Sequence, residues 1–204
     1  MGISKKSYIV VKRILDFILS LIAIIIFSPL MLIICIVIKA TSKGPILFKQ
    51  KRFGKNKGFF NIYKFRTMRT DTPKDVPTHM LTNPDMYITK IGKFLRKTSM
   101  DELPQLFNIL SGKMSIIGPR PALWNQDDLM QERDKGNSNS ILPGLTGWAQ
   151  IHGRDEISIE EKAKLDNYYA EYMNIIMDTK IIFCTVLSVM WHDGVAEGGQ
   201  SNKK

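Results

Sequence analysis

The sequence predicts a small α/β domain, mostly helical with a short β-hairpin, attached to an N-terminal membrane helix broken at Ser28-Pro29. Three observations lead there. Residues Ile14 to Ile38 form an apolar run in which Asp16 is the one charged side chain. Two stretches of alternating apolar and basic residues flank the loop Gly54-Lys55-Asn56-Lys57-Gly58. Helical periodicity and helix-start signals dominate the remainder, and 44% hydrophobic residues over 204 positions suffice for a sizeable core, which excludes a largely disordered chain.

The membrane helix comes first. A straight helix over Ile14 to Ile38 reaches about 37 Å, more than the roughly 30 Å of bilayer hydrocarbon. A cleaved leader is not expected, because its apolar core would be about 7 to 15 residues followed by a small-residue cleavage site. Lys5, Lys6, Lys12 and Arg13 precede the run, and Lys39, Lys43, Lys49, Lys51 and Arg52 follow it. The positive-inside rule then wants both ends in the cytoplasm. Pro29 removes a helical N–H and clashes with the preceding turn, and the Ser28 hydroxyl can cover a freed backbone group in lipid. The expected arrangement is a re-entrant helix that enters one leaflet and returns to the same face. A kinked single span is one alternative; a buried core helix is the other, and 25 nearly uncharged residues exceed the usual length of one.

Charge divides the chain. Lys and Arg total 29 against 19 Asp and Glu, for a net charge of +10. Residues 1–100 hold 19 basic and 4 acidic side chains, and residues 101–204 hold 10 and 15, so the halves carry +15 and −5. Such a first half is drawn to nucleic acid, an acidic membrane surface or a phosphorylated substrate. The two cysteines, Cys35 and Cys184, lie in apolar runs. They exclude a disulfide framework or cysteine zinc site and fit a reducing cytoplasm.

Pro45 to Phe53 and Phe59 to Phe65 read as the hairpin strands. Lys49 to Arg69 contains eight basic and no acidic residues, a face suited to lipid head groups. Its interleaved aromatics also suit a single-stranded nucleic-acid platform, a use the adjacent membrane segment argues against. Thr70 to Met86 has no period and reads as a loop that could serve as a lid. Ile88, Ile91, Phe94 and Leu95 make an apolar stripe opposed by Lys90, Lys93, Arg96 and Lys97, a basic amphipathic helix. Gln126 to Ser140 reads as a helix end and exposed loop. Ser158 to Glu161 has capping-box spacing and should start a helix to about Met173, followed by an apolar helix from Ile181 to Trp191. Residues 196–204 look disordered.

Two segments draw attention as chemistry. In Thr98 to Asn108, Pro104 belongs to a helix's first turn, which places Asp101 at the cap or just inside it, with Glu102 beside it. Free amides there favour an ionised carboxylate and attract phosphate, while a capping box from Ser99 to Glu102 accounts for the same residues structurally. In Gly118-Pro119-Arg120-Pro121, the prolines hold Arg120 on a stiff strut suited to phosphate oxygens. A rigid turn with a solvated arginine is the structural alternative. Pro143 to Gln150 and Gly153-Arg154 offer close backbone approach and a second phosphate clamp, or simply a turn. Asp166 falls inside a predicted helix, where a solvated role is commoner. His79, His152 and His192 have no ligand spacing.

Taken together, the proline-bearing apolar helix, Tyr63-Lys64-Phe65-Arg66-Thr67-Met68, Ser99 to Leu106, Gly118 to Pro121, and Pro143 to Gln150 with Gly153-Arg154 resemble the bacterial sugar transferases known as monotopic phosphoglycosyl transferases. The resemblance runs in order from residue 8 to about 194. It implies an enzyme that moves a sugar-1-phosphate from a UDP-sugar to undecaprenyl phosphate, with release of UMP. The site would lie at the cytoplasmic face of the bacterial inner membrane, where such transfer begins a capsule, O-antigen or glycoprotein glycan. By the same resemblance Asp101 attacks the donor phosphate, a phosphosugar-aspartate forms, and the lipid phosphate displaces it. Asp101 and Glu102 would hold Mg²⁺, and Arg120, Lys64, Arg66 and Arg154 would neutralise phosphate charge. The family also has a functional aspartate in the helix of Asp166. Leu142 departs from the pattern, since many relatives have arginine before Pro-Gly. The sugar is expected to be an N-acetylated hexose, near Tyr168, Tyr169, the 70–86 loop and Pro121 to Gln126. The implied organisation is a membrane anchor over 1–40, a catalytic domain over 41–195 and a tail, with membrane lipids but no nucleic acid as partners.

Overall fold

A computed structural model describes residues 5–72, 84–153 and 157–191 of the chain. The apolar run lies within helix α1, Lys5–Thr41, about 55 Å long at the standard rise. One stripe, Tyr8, Asp16, Ser20, Met31, Ile34 and Ile38, is buried against the rest of the protein. Much of the rest of the surface of α1 is exposed and apolar, including Ile25, Ile26, Leu32, Ile33 and Ile36. The expected break at Ser28-Pro29 is not an interruption of the helix, which runs through both residues. Pro29 leaves the Ile25 carbonyl without its usual donor, and the Ser28 hydroxyl donates to that same oxygen at 2.9 Å.

Strands β1, Leu47–Phe53, and β2, Phe59–Phe65, pair antiparallel with Phe53 opposite Phe59 and Leu47 opposite Phe65, as the alternation predicts. Helix α2, Lys90–Lys97, follows, capped by the Thr89 hydroxyl accepting from the Gly92 amide. A 3₁₀ turn, Met100–Glu102, leads to the short helix α3, Gln105–Leu110. Next come β3, Ser115–Ile117, and α4, Asp127–Asp134, the latter within the stretch Gln126 to Ser140 read as a helix end and exposed loop. Strand β4, Gly144–Thr146, pairs parallel to β3. Helix α5, Trp148–Ile151, and α6, Ile159–Tyr172, follow, with the Ser158 hydroxyl accepting from the Glu161 amide as its capping box predicts. The last helix, α7, Ile175–Trp191, starts six residues before the expected position. The fold is thus mostly helical with two small sheets. The tail, the residues 73–83 of the expected lid and Arg154 lie outside the described residues.

Helix α1 joins the domain along both of its halves. Met31, Ile34 and Ile38 pack with Phe65 and Leu95, and Tyr8 packs with Ile117, Tyr169, Met173 and Ile181. Polar bonds fix its register. Asp16 accepts from Ser115 Oγ at 2.7 Å and from the Ile116 amide at 3.0 Å. Arg13 donates to the Ile109 and Leu110 carbonyls at 2.7 and 3.2 Å, closing the C-terminal turn of α3 where a cation is favoured. Asp178 on α7 accepts from Tyr8 Oη at 2.5 Å, Lys12 Nζ at 2.8 Å and Tyr169 Oη at 2.7 Å.

Candidate active site

The acidic pair sits in the turn between α2 and α3. Ser99 takes a left-handed conformation, φ 55°, at the turn after α2, and its side chain makes no capping bond. The expected capping box is therefore absent. Pro104 occupies the cap of α3, so Asp101 stands three residues ahead of that cap rather than at it. Short polar residues tolerate this backbone at modest cost.

Asp101 is buried, 8% exposed, and Glu102 is half-buried beside it. Lys64, near the end of β2, donates to Glu102 Oε1 at 2.6 Å, and Arg120 Nη2 lies 3.4 Å from the same oxygen. Arg96 on α2 donates through Nε to Thr67 Oγ1 at 2.9 Å, and its charge also reaches Asp101. Burial pushes the Asp101 carboxyl above its ordinary range; Lys64, Arg96 and Arg120 pull against that rise, while the Glu102 charge adds to it. The structure therefore gathers a buried carboxyl, a second carboxylate and three cations at one turn. That arrangement suits a negatively charged group and keeps one acidic oxygen poorly solvated.

Asp101, Glu102, Lys64 and Arg120 meet as expected from the sequence. Arg66 does not join them. Its guanidinium donates to the Lys43 carbonyl at 2.6 Å and to the Ser42 carbonyl and hydroxyl at 2.9 and 2.6 Å, pinning the loop after α1. Asp166 is not solvated: at 2% exposure it is paired with Arg133 of α4. Tyr169 points into the core at Asp178, whereas Tyr168 is exposed and packs beside Trp148 and Tyr172. Sequence reasoning missed Arg96 as a site residue, because nothing distinguishes it from Lys90, Lys93 and Lys97 on the same basic helix. It also missed Arg133 and the Asp178 junction, whose partners are remote in sequence.

Among the described residues no group of three or more His, Cys, Asp or Glu side chains is placed to hold a metal ion. Two adjacent carboxylates nevertheless suit Mg²⁺, which binds typically through one or two carboxylates with substrate phosphates and waters completing the shell.

The sequence profile of the bacterial sugar transferases matches residues 7–192. The chain belongs to that family. A UDP-glucose:undecaprenyl-phosphate glucose-1-phosphate transferase of Klebsiella pneumoniae is 41% identical over 184 residues, covering 87% of this chain and 39% of the relative. The exopolysaccharide production protein PSS of Rhizobium leguminosarum is 40% identical over 192 residues, covering 88% of this chain and 95% of that protein. A UDP-N-acetylgalactosamine-undecaprenyl-phosphate N-acetylgalactosaminephosphotransferase of Aeromonas hydrophila is 37% identical over 191 residues, covering 90% of this chain and 44% of its own length. The chain thus spans less than half of two of these relatives and nearly all of the third.

Proposed function

We propose that this protein is a phosphoglycosyl transferase that moves a sugar-1-phosphate from a UDP-sugar to undecaprenyl phosphate, releasing UMP, through a covalent intermediate on Asp101. The observation that carries this reading is the buried Asp101 carboxyl set among Lys64, Arg96 and Arg120. A poorly solvated carboxylate is a competent nucleophile toward phosphorus only where cations offset the charge that gathers on the transferring group. The acceptor and the reaction class follow the names of the relatives.

In the first displacement an Asp101 oxygen attacks the donor phosphorus that bears the sugar. The bond from that phosphorus to the bridging oxygen breaks, and UMP departs with the electron pair. In the second, an oxygen of undecaprenyl phosphate attacks the same phosphorus, the bond to Asp101 breaks, and the carboxylate is restored. Lys64 and Arg120 bind and orient the phosphates, Arg96 holds the Thr67 segment beside them, and Glu102 orders the two cations. Asp101 and Glu102 would hold Mg²⁺, which when bound supplies further neutralisation of the diphosphate.

The acceptor is a lipid phosphate, so the site belongs at the head-group level of the inner membrane's cytoplasmic leaflet. The exposed apolar surface of α1 supports an anchor over residues 1–40, and the packing of both its halves on one domain favours a re-entrant path over a straight crossing. Names of relatives divide between glucose and an N-acetylated sugar. An N-acetylated hexose is the donor we expect, feeding polysaccharide or glycan assembly. The test is UMP release from a panel of UDP-sugars by wild type and Asp101→Asn, with mass spectrometry after donor alone. A phosphosugar on the Asp101 peptide is expected; full turnover by the variant, or an adduct elsewhere, overturns the reading.

A further inference from the structure

The segment that carries Arg120 is held in an unusual way. Pro119 and Pro121 have no N–H, so backbone carbonyls are the main handles by which the strut can be fixed. Four successive carbonyls are each taken by a different partner. Pro119 O accepts from the Gly144 amide at 2.9 Å, and Ala122 O from the Phe53 amide at 2.9 Å. Pro121 O accepts from Arg52 Nη1 at 3.0 Å, and Arg120 O from Arg133 Nη2 at 3.0 Å. Of these donors, Arg133 is the one buried as an ion pair: it is 4% exposed, and its Nε and Nη2 donate to Asp166 Oδ2 at 2.9 and 2.6 Å.

A buried ion pair is a poor device for stability alone, because desolvation offsets most of the attraction and an apolar pair of similar volume does as well. The element that an apolar pair could not supply is the bond to Arg120 O. We propose that Arg133, clamped by Asp166, is a positioning residue that fixes the Arg120 backbone and so sets where the Arg120 guanidinium meets the donor phosphates. The inference rests on the reading of Arg120 as a phosphate ligand in sugar-phosphate transfer. It assigns Asp166 a role as well, as the group that holds Arg133 rather than as a group touching substrate. Displacement of a reacting contact by about 1 Å can cost on the order of a hundredfold in rate, so a fixed carbonyl here matters to turnover.

The test is a double-mutant cycle on steady-state UMP release in membranes or nanodiscs. Arg133→Met with Asp166→Leu replaces the pair by apolar side chains, and its melting temperature is measured alongside. The expected result is a fold retained with kcat/KM for the UDP-sugar lowered about tenfold to a hundredfold. In an Arg120→Ala background the same replacement should cause little further loss, because the group it positions is gone. A general loosening of the fold would instead multiply with the Arg120→Ala effect, and that additive outcome overturns the proposal. So does a folded double variant with unchanged kcat/KM. Arg133→Lys runs through the same cycle if the apolar pair does not fold; it keeps a cation against Asp166, should lower kcat/KM below wild type, and should cause little further loss in the Arg120→Ala background. If Arg120→Ala alone leaves turnover intact, the phosphate role of Arg120 fails and this inference with it; if that variant is impaired but the cycle is additive, only the inference fails.

Discussion

Lys64 Nζ lies 2.6 Å from Glu102 Oε1, so the cation of the hairpin is bonded to the neighbour of Asp101 while its charge still acts on Asp101 itself. Glu102 thereby holds Lys64 in place without consuming the carboxylate proposed to react. Lys64→Met should lower kcat/KM for UMP release by about a hundredfold to a thousandfold, the scale for loss of one stabilising donor at a charged transition state. Lys64→Arg should recover part of it. Steady-state kinetics across the three proteins checks this, and unimpaired Lys64→Met would remove Lys64 from the chemistry.

Asp101 should be costly to the fold. Burial raises its pKa, so the native state binds this proton more tightly than the unfolded chain does. Its contribution is most favourable below the ordinary aspartate pKa and is lost as pH rises through the folded value. Asp101→Asn should therefore melt higher than wild type at neutral pH, with the gap widening from pH 4 to pH 8, while UMP release is abolished. In the active enzyme, the acid limb of the rate profile should lie above the ordinary aspartate range. Melting curves at several pH values read the first effect; a gap that narrows with rising pH would contradict it.

Arg66 separates structure from chemistry. Its guanidinium serves the Ser42 and Lys43 backbone, and a Cβ at Gly44, where φ is +117°, would clash with Arg66 Nη1. Arg66→Ala and Gly44→Ala should each destabilise the protein by about 2 to 4 kcal/mol through lost bonds or strain. Donor KM in the folded fraction should stay unchanged. A selective rise in donor KM with no change in melting would return Arg66 to the phosphate site.

Lys64 and Arg66 together show where a sequence stops being legible. They are two apart, and on a continuing strand they would share a face. Strand β2 ends at Phe65, the Arg66 amide bonds the Ile46 carbonyl, and the two side chains part. Local patterns were readable: the hairpin register, the Ser158 cap and the serine beside Pro29 all depend on near neighbours. The three-residue parallel pair β3 and β4 carries too short a pattern to detect. The bond from Tyr8 to Asp178 joins residues 170 positions apart and leaves no periodic trace. Asp101 and Glu102 were found through their motif, but their place ahead of α3 depends on the left-handed Ser99, which spacing does not encode.

Asp178 gathers three donors from two elements besides its own, and Tyr169 is kept protonated by burial first and the Asp178 charge second. Asp178→Ala would leave the Lys12 ammonium and the Tyr8 phenol without this acceptor, and Tyr169 with the Ile117 carbonyl at 3.4 Å alone. We expect a loss of about 3 to 5 kcal/mol, the range for breaking a buried ion pair. Asp178→Asn, which keeps an acceptor but no charge, should lose less. Denaturation of the detergent-solubilised protein ranks the two, and equal stability of all three would show the junction to be idle.

The re-entrant path proposed for α1 can be tested at its two ends. Tyr8 and Ile38 are 30 residues apart, about 45 Å along a straight helix, which exceeds the roughly 30 Å of hydrocarbon. Yet both are buried against the same folded body, Tyr8 beside Ile117 and Tyr169, Ile38 beside Phe65 and Leu95. A crossing helix would carry one of these contacts to the far side of the bilayer, away from its partners. Residues 25–29 are all exposed, and a re-entrant helix would insert deepest there. Cysteines placed at positions 3 and 44, with Cys35 and Cys184 replaced, should therefore both react with an impermeant maleimide from the cytoplasmic side of oriented vesicles and neither from the other. Labelling from opposite sides would mean that α1 crosses, and the contacts of one end with the domain would have to break in the membrane.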